Sequence, residues 1–87
     1  MVYDLLTRLS MGDELRGKTI VYSENGRESV VTGGSVFEIT RSEVRFYGGE
    51  SNMEELSIPL SNITEIRHNH ELVFRARKRI EKIYPRY

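Results

Sequence analysis

The stretch KTIVYSENGRESVV, residues 18–31, decides the fold. Two runs rich in β-branched and aromatic side chains flank Asn25-Gly26, a dipeptide suited to a two-residue hairpin because both positions tolerate positive φ. The spacing predicts an antiparallel hairpin, with further short strands joined in sequence after it. SVFEIT follows Gly33-Gly34, and EVRFYG then places Val44 and Phe46 on one face against Arg45 and Tyr47 on the other. In ELSIPL, Leu56, Ile58 and Leu60 recur at period two. Pro59 has no N–H for a ladder, so this run is expected to be an edge strand or to end there.

The period breaks at SNITEI, where Ile63 and Ile66 stand three apart. Ser61 predicts a cap for one turn of 3₁₀ or α-helix. ELVFRA reads as the last strand, with Leu72, Phe74 and Ala76 facing one way and Val73, Arg75 and Arg77 the other. Upstream, Val2, Leu5, Leu6 and Leu9 fall on one helical face, and Gly12 stands where a left-handed cap would close the helix. So short a helix is unstable alone, so its apolar stripe must lie on the sheet. At the other end, RKRIEKIYPRY leaves room for a short helix burying Ile80, Ile83 and Tyr84, stopped by Pro85.

The fold class expected is therefore α+β: an N-terminal helix packed on an antiparallel, barrel-like sheet of five to seven short strands. Residues 1–87 form one domain, divided into the helix (1–12), the β-rich part (17–76) and a basic C-terminal segment (77–87). A chain of this length stabilises a single thin core.

Composition narrows the function. Cysteine is absent, which excludes disulfides, thiolate nucleophiles and cysteine metal sites. No apolar run approaches the ~20 residues that span a bilayer. The start, MVYDLLTRLS, carries Asp4 and lacks the basic region of a signal peptide, so a cytoplasmic location is expected. Glutamine is also absent and charged residues of both signs reach 30 %, a pattern of heat-adapted proteins. The net charge of zero is unevenly spread: residues 1–66 hold six basic and eleven acidic side chains, residues 67–87 seven basic and two acidic. Such asymmetry suggests a basic patch that meets an anion, or one that pairs with the acids of its own fold.

The basic patch centres on RHNHELVFRARKR, residues 67–79. No serine sits in a nucleophile elbow and the glycine pairs lack a phosphate-loop lysine, so an enzyme is not expected. His68 and His70, with Glu71 or Glu65 nearby, supply too few ligands to identify a metal site, and no cofactor is expected. Cations spaced for successive phosphates are the better fit, because the guanidinium fork takes two phosphate oxygens at once. The expected nucleic-acid-binding residues are Arg67, His68, His70, Arg75, Arg77, Lys78, Arg79 and Lys82, with Tyr47, Tyr84 and Tyr87 as stacking surfaces. The partner expected is single-stranded RNA or RNA ends. The alternative is a protein partner or a second copy, paired along an exposed ELVFRA edge whose arginines guard against promiscuous pairing.

Three segments in order resemble a family of small, largely archaeal domains assigned to recognising cyclic-phosphate ends of RNA. DLLTRLSM is similar to its leucine-rich opening helix, KTIVYSENGRE to its I-V-Y strand and following turn, and SIPLSNITEIRHNHELVFRAR to its closing pattern. The resemblance covers roughly half the chain and implies a small RNA-binding domain in which Arg67, Arg75 and Arg27 are carried over. The family's His-Arg pair after I-P-x falls on Ser61-Asn62 here, and its closing tryptophan on Phe74. The helix, LRGKTIVYSENG and IPLSNITEI are also similar to Sm-like and other SH3-like barrels. GSVFEITRSEVRFYGG with IPLSNITEI is similar to PH-like sheets. All three are small β-rich binding domains, a likeness at the level of fold.

Overall fold

The computed structural model describes residues 2–49, 51 and 53–76. The chain opens with α1 (Val2–Met11), followed by seven strands: β1 (Lys18–Glu24), β2 (Arg27–Thr32), β3 (Val36–Ile39), β4 (Glu43–Gly48), β5 (Glu54–Pro59), β6 (Ile63–His68) and β7 (Glu71–Arg75). Short 3₁₀ turns at Leu15–Gly17, Gly33–Ser35 and Leu60–Asn62 join α1 to β1, β2 to β3 and β5 to β6. The α+β class is as the sequence predicts. All strand pairs are antiparallel.

The barrel is not. The strands form two separate sheets, one in the order β2-β1-β6-β7 and one in the order β3-β4-β5. The 3₁₀ turns at Gly33–Ser35 and Leu60–Asn62 carry the chain from one sheet to the other, so no ladder runs across either junction. What joins the sheets is a single apolar core, with Ile20, Tyr22, Val31, Ile63 and Ile66 from the first and Val44, Phe46 and Ile58 from the second. Tyr22 and Phe46 meet across it with ring centroids 6.2 Å apart. α1 adds Leu6 and Leu9, and Leu15 follows from the first 3₁₀ turn. The C-terminal helix expected over 77–87 falls outside the described residues.

Local chemistry explains the joints. Asn25 and Gly26 adopt φ of 54° and 80°, which makes the expected two-residue hairpin turn. α1 ends in paired reverse bonds, Glu14 N–H to the Leu9 carbonyl at 2.8 Å and Asp13 N–H to that of Ser10 at 3.2 Å. The left-handed residue of this cap is Asp13 (φ 60°), not Gly12 as the sequence suggests. Aspartate tolerates that region better than most side chains do. Gly33 is required by close approach instead: a Cβ there would overlap the Leu15 carbonyl oxygen, where two of the 3₁₀ turns cross.

Two bulges correct the strand reading. Tyr22 faces Ile63 while Val21 faces Glu65, so Thr64 is an extra residue in β6. That bulge lets Ile63 and Ile66, three apart, both enter the core. The 3₁₀ turn anticipated around Ser61 is present at Leu60–Asn62, but no side chain caps it. On β7, Phe74 faces Ile66 and Leu72 faces Arg67, which leaves Val73 unpaired. Phe74 therefore packs against the core, while Leu72 moves to the Arg67 side and is exposed. The expected Leu72–Phe74 face does not exist.

Candidate nucleic-acid interface

β6 and β7 bring together the described members of the basic stretch. Residues two apart on a strand share a face, and so do residues directly opposite on neighbouring strands. Glu65, Arg67 and Arg75 consequently meet on the outer face of the four-stranded sheet, with Glu65 opposite Arg75. Arg67 Nε donates to Glu65 Oε1 at 2.7 Å, and Arg75 Nη2 donates to Glu65 Oε2 at 3.2 Å. Arg67 Nη1 also donates to the carbonyl oxygen of His70 at 3.3 Å, which ties the β6–β7 turn to the row. The hydrogen bond from Arg67 lowers the Glu65 carboxyl below its ordinary pKa. Partial desolvation opposes this, and the charges of Arg67 and Arg75, with the Arg75 hydrogen bond, reinforce it.

The histidines stand elsewhere. His68 ends β6 on the opposite face from Arg67, paired with Lys18 of β1 and Glu71 of β7. Its ring lies beside Gly17, where a Cβ would be 3.6 Å from Cε1. His70 is exposed in the turn after Asn69, whose φ of 60° reverses the chain. Among the described residues, no group of three or more metal-ligating side chains comes together. Arg77, Lys78, Arg79 and Lys82, with Tyr84 and Tyr87, lie outside the described residues. Tyr47 belongs to the other sheet, stacked on Phe37 with centroids 4.5 Å apart, while Arg45 is held there by Glu38 and Glu55.

Sequence reasoning missed two cations. Lys18 is fifty positions from His68, and only the β1–β6 register makes them neighbours. Arg41, in the turn between β3 and β4, lies over the Tyr3 ring at 5.1 Å from its centroid. Nothing in TRSE announces this contact, because it depends on where α1 crosses the sheet.

Comparisons with protein-family models, curated proteins and solved structures return no match for this chain. No described helix is long and apolar enough to cross a membrane.

Proposed function

We propose that this protein is a small non-catalytic module that binds RNA, or RNA ends, by phosphate on the outer face of the four-stranded sheet. The supporting observation is the row Arg67–Glu65–Arg75, in which one carboxylate holds two guanidinium groups side by side across β6 and β7. One acid between two arginines leaves the row positive. Each guanidinium has five N–H donors, and those not given to Glu65 and His70 remain for phosphate oxygens. Because Glu65 already fixes both side chains, less rotamer entropy is lost when an anion arrives.

The test is fluorescence anisotropy with short single-stranded RNAs ending in 2′,3′-cyclic phosphate or in free hydroxyl, each at two salt concentrations. Affinity is expected to fall with salt by a log-log slope of about 0.7 per phosphate contacted. The double variant Arg67→Ala/Arg75→Ala should bind more weakly and show a flatter slope. A salt-independent signal, or one equal in the variant, would reject the proposal.

The second reading, a protein-interaction or homo-oligomerisation module, is favoured by β7 standing, among the described residues, at a sheet edge with Leu72 44 % and Val73 41 % exposed. The bulge at Val73 weighs against simple edge-to-edge pairing. Light scattering after size exclusion, at low and high salt, separates the two. A salt-resistant dimer or ring that ignores RNA would favour this second reading.

A further inference from the structure

A shallow groove of about 440 Å³ lies where the start of α1 meets the β3–β4 turn and the β5–β6 turn. Among the described residues its lining is Val2, Tyr3, Arg41, Ser42, Leu60 and Ser61, with one cationic side chain and no acid. Arg16, Arg45, Arg67 and Arg75 each pair with a carboxylate. Arg41 has no carboxylate partner among the described residues and lies over the Tyr3 ring. An aromatic face steadies a guanidinium without neutralising it, so its N–H donors keep their full charge for a ligand.

The frame around Arg41 is well tied. Thr40 Oγ1 accepts from the backbone N–H groups of Ser42 (3.2 Å) and Glu43 (3.0 Å), which closes the turn that carries Arg41. The Leu60 N–H donates to the Ser42 carbonyl at 2.9 Å, and this bond sets the Leu60–Asn62 turn beside it. Ser42 and Ser61 thus line one groove, although they are nineteen positions apart. Val2, Tyr3 and Leu60 give the groove an apolar wall.

We infer that this groove is a binding site for a terminal phosphate group carried on a compact, partly apolar body, of which a nucleoside monophosphate is the chemical type. Arg41 supplies the charge. The Ser61 hydroxyl supplies a neutral donor to the same phosphate, Ser42 lines the groove with its Oγ 3.3 Å from Thr40 Oγ1, and the apolar wall takes the attached group. The site is distinct from the Arg67–Glu65–Arg75 row and does not depend on it.

The experiment is an amide NMR titration of the whole chain with adenosine monophosphate, inorganic phosphate and adenosine. Adenosine monophosphate should shift the Tyr3, Ser42 and Ser61 amides, inorganic phosphate should shift the same amides more weakly, and adenosine should not. If inorganic phosphate binds as well as the monophosphate, the apolar wall has no role and the inferred ligand class is wrong. Arg41→Ala should weaken the monophosphate by roughly tenfold or more, as expected for loss of a charge-assisted hydrogen bond. Ser61→Asp, which places an acid at an exposed position on the rim, should abolish binding, and it serves as the test if Arg41→Ala does not fold. Arg67→Ala/Arg75→Ala should leave the titration unchanged, so failure here and failure of the RNA proposal are told apart. No shift at these amides, or shifts that persist in both Arg41→Ala and Ser61→Asp, would overturn the inference.

Discussion

Glu65 is the residue on which the candidate surface turns. Its carboxylate accepts from Arg67 and Arg75 at once, and its pKa is lowered by those bonds. A carboxyl whose folded pKa lies below its unfolded one stabilises the protein fully above the unfolded value. That contribution disappears as pH falls through the lower, folded value. An NMR titration of the Glu65 side chain should therefore show a midpoint below the usual glutamate range, and Arg67→Ala should move it back up. In Glu65→Gln the acid limb of the stability curve should be less steep. An unchanged midpoint in Arg67→Ala would mean that the contact is not held in solution. In the sequence, Glu65 is simply an acid near the basic end. Its role as an organiser became legible only when β7 came to lie beside β6.

At the scale of elements, the short turns matter more than the strands. Six of the seven strands could be anticipated from β-like runs, alternation and turn signals, whereas β6 could not, because Ile63 and Ile66 three apart break the period and suggest a helical turn. The bulges could not, since an extra residue is defined by a partner strand that the local sequence does not identify. Thr64 and Val73 are such residues, and the second moved Leu72 out of the expected core face. The Gly33–Ser35 turn offers a direct test. Gly33→Ala forces a methyl group into the Leu15 carbonyl, so either this crossing or the start of β3 must shift. A loss of about 1–3 kcal/mol is expected, the usual cost of overpacking a site that cannot relax. Gly34→Ala meets only the flexible Arg16 side chain at van der Waals distance and its more distant backbone, and should cost much less. Equal losses in urea unfolding would refute the close-approach explanation.

Across the whole molecule, two sheets and one helix share a single core, so they should unfold together. Ile66 is fully buried at the centre of the four-stranded sheet, opposite Ile20 and Phe74. Ile66→Ala should cost about 2–5 kcal/mol, transfer and cavity terms together. Far-UV signal from the strands and near-UV signal from the Tyr22–Phe46 contact should be lost in one transition. Separate midpoints would show that the three-stranded sheet folds as an independent unit.

The sequence by itself determined the α+β class, the N-terminal helix, the Asn25-Gly26 hairpin and the antiparallel succession of strands. These follow from periodicity and turn chemistry acting over a few neighbouring residues. Only the tertiary structure decided that the strands divide into two sheets. It also decided that Arg67 and Arg75 share one carboxylate, that His68 turns away from them, and that Arg41 stands over Tyr3 with no acid partner among the described residues. Each of these depends on the register and crossing of segments far apart in the chain, which are fixed by how the core fills and not by any local pattern.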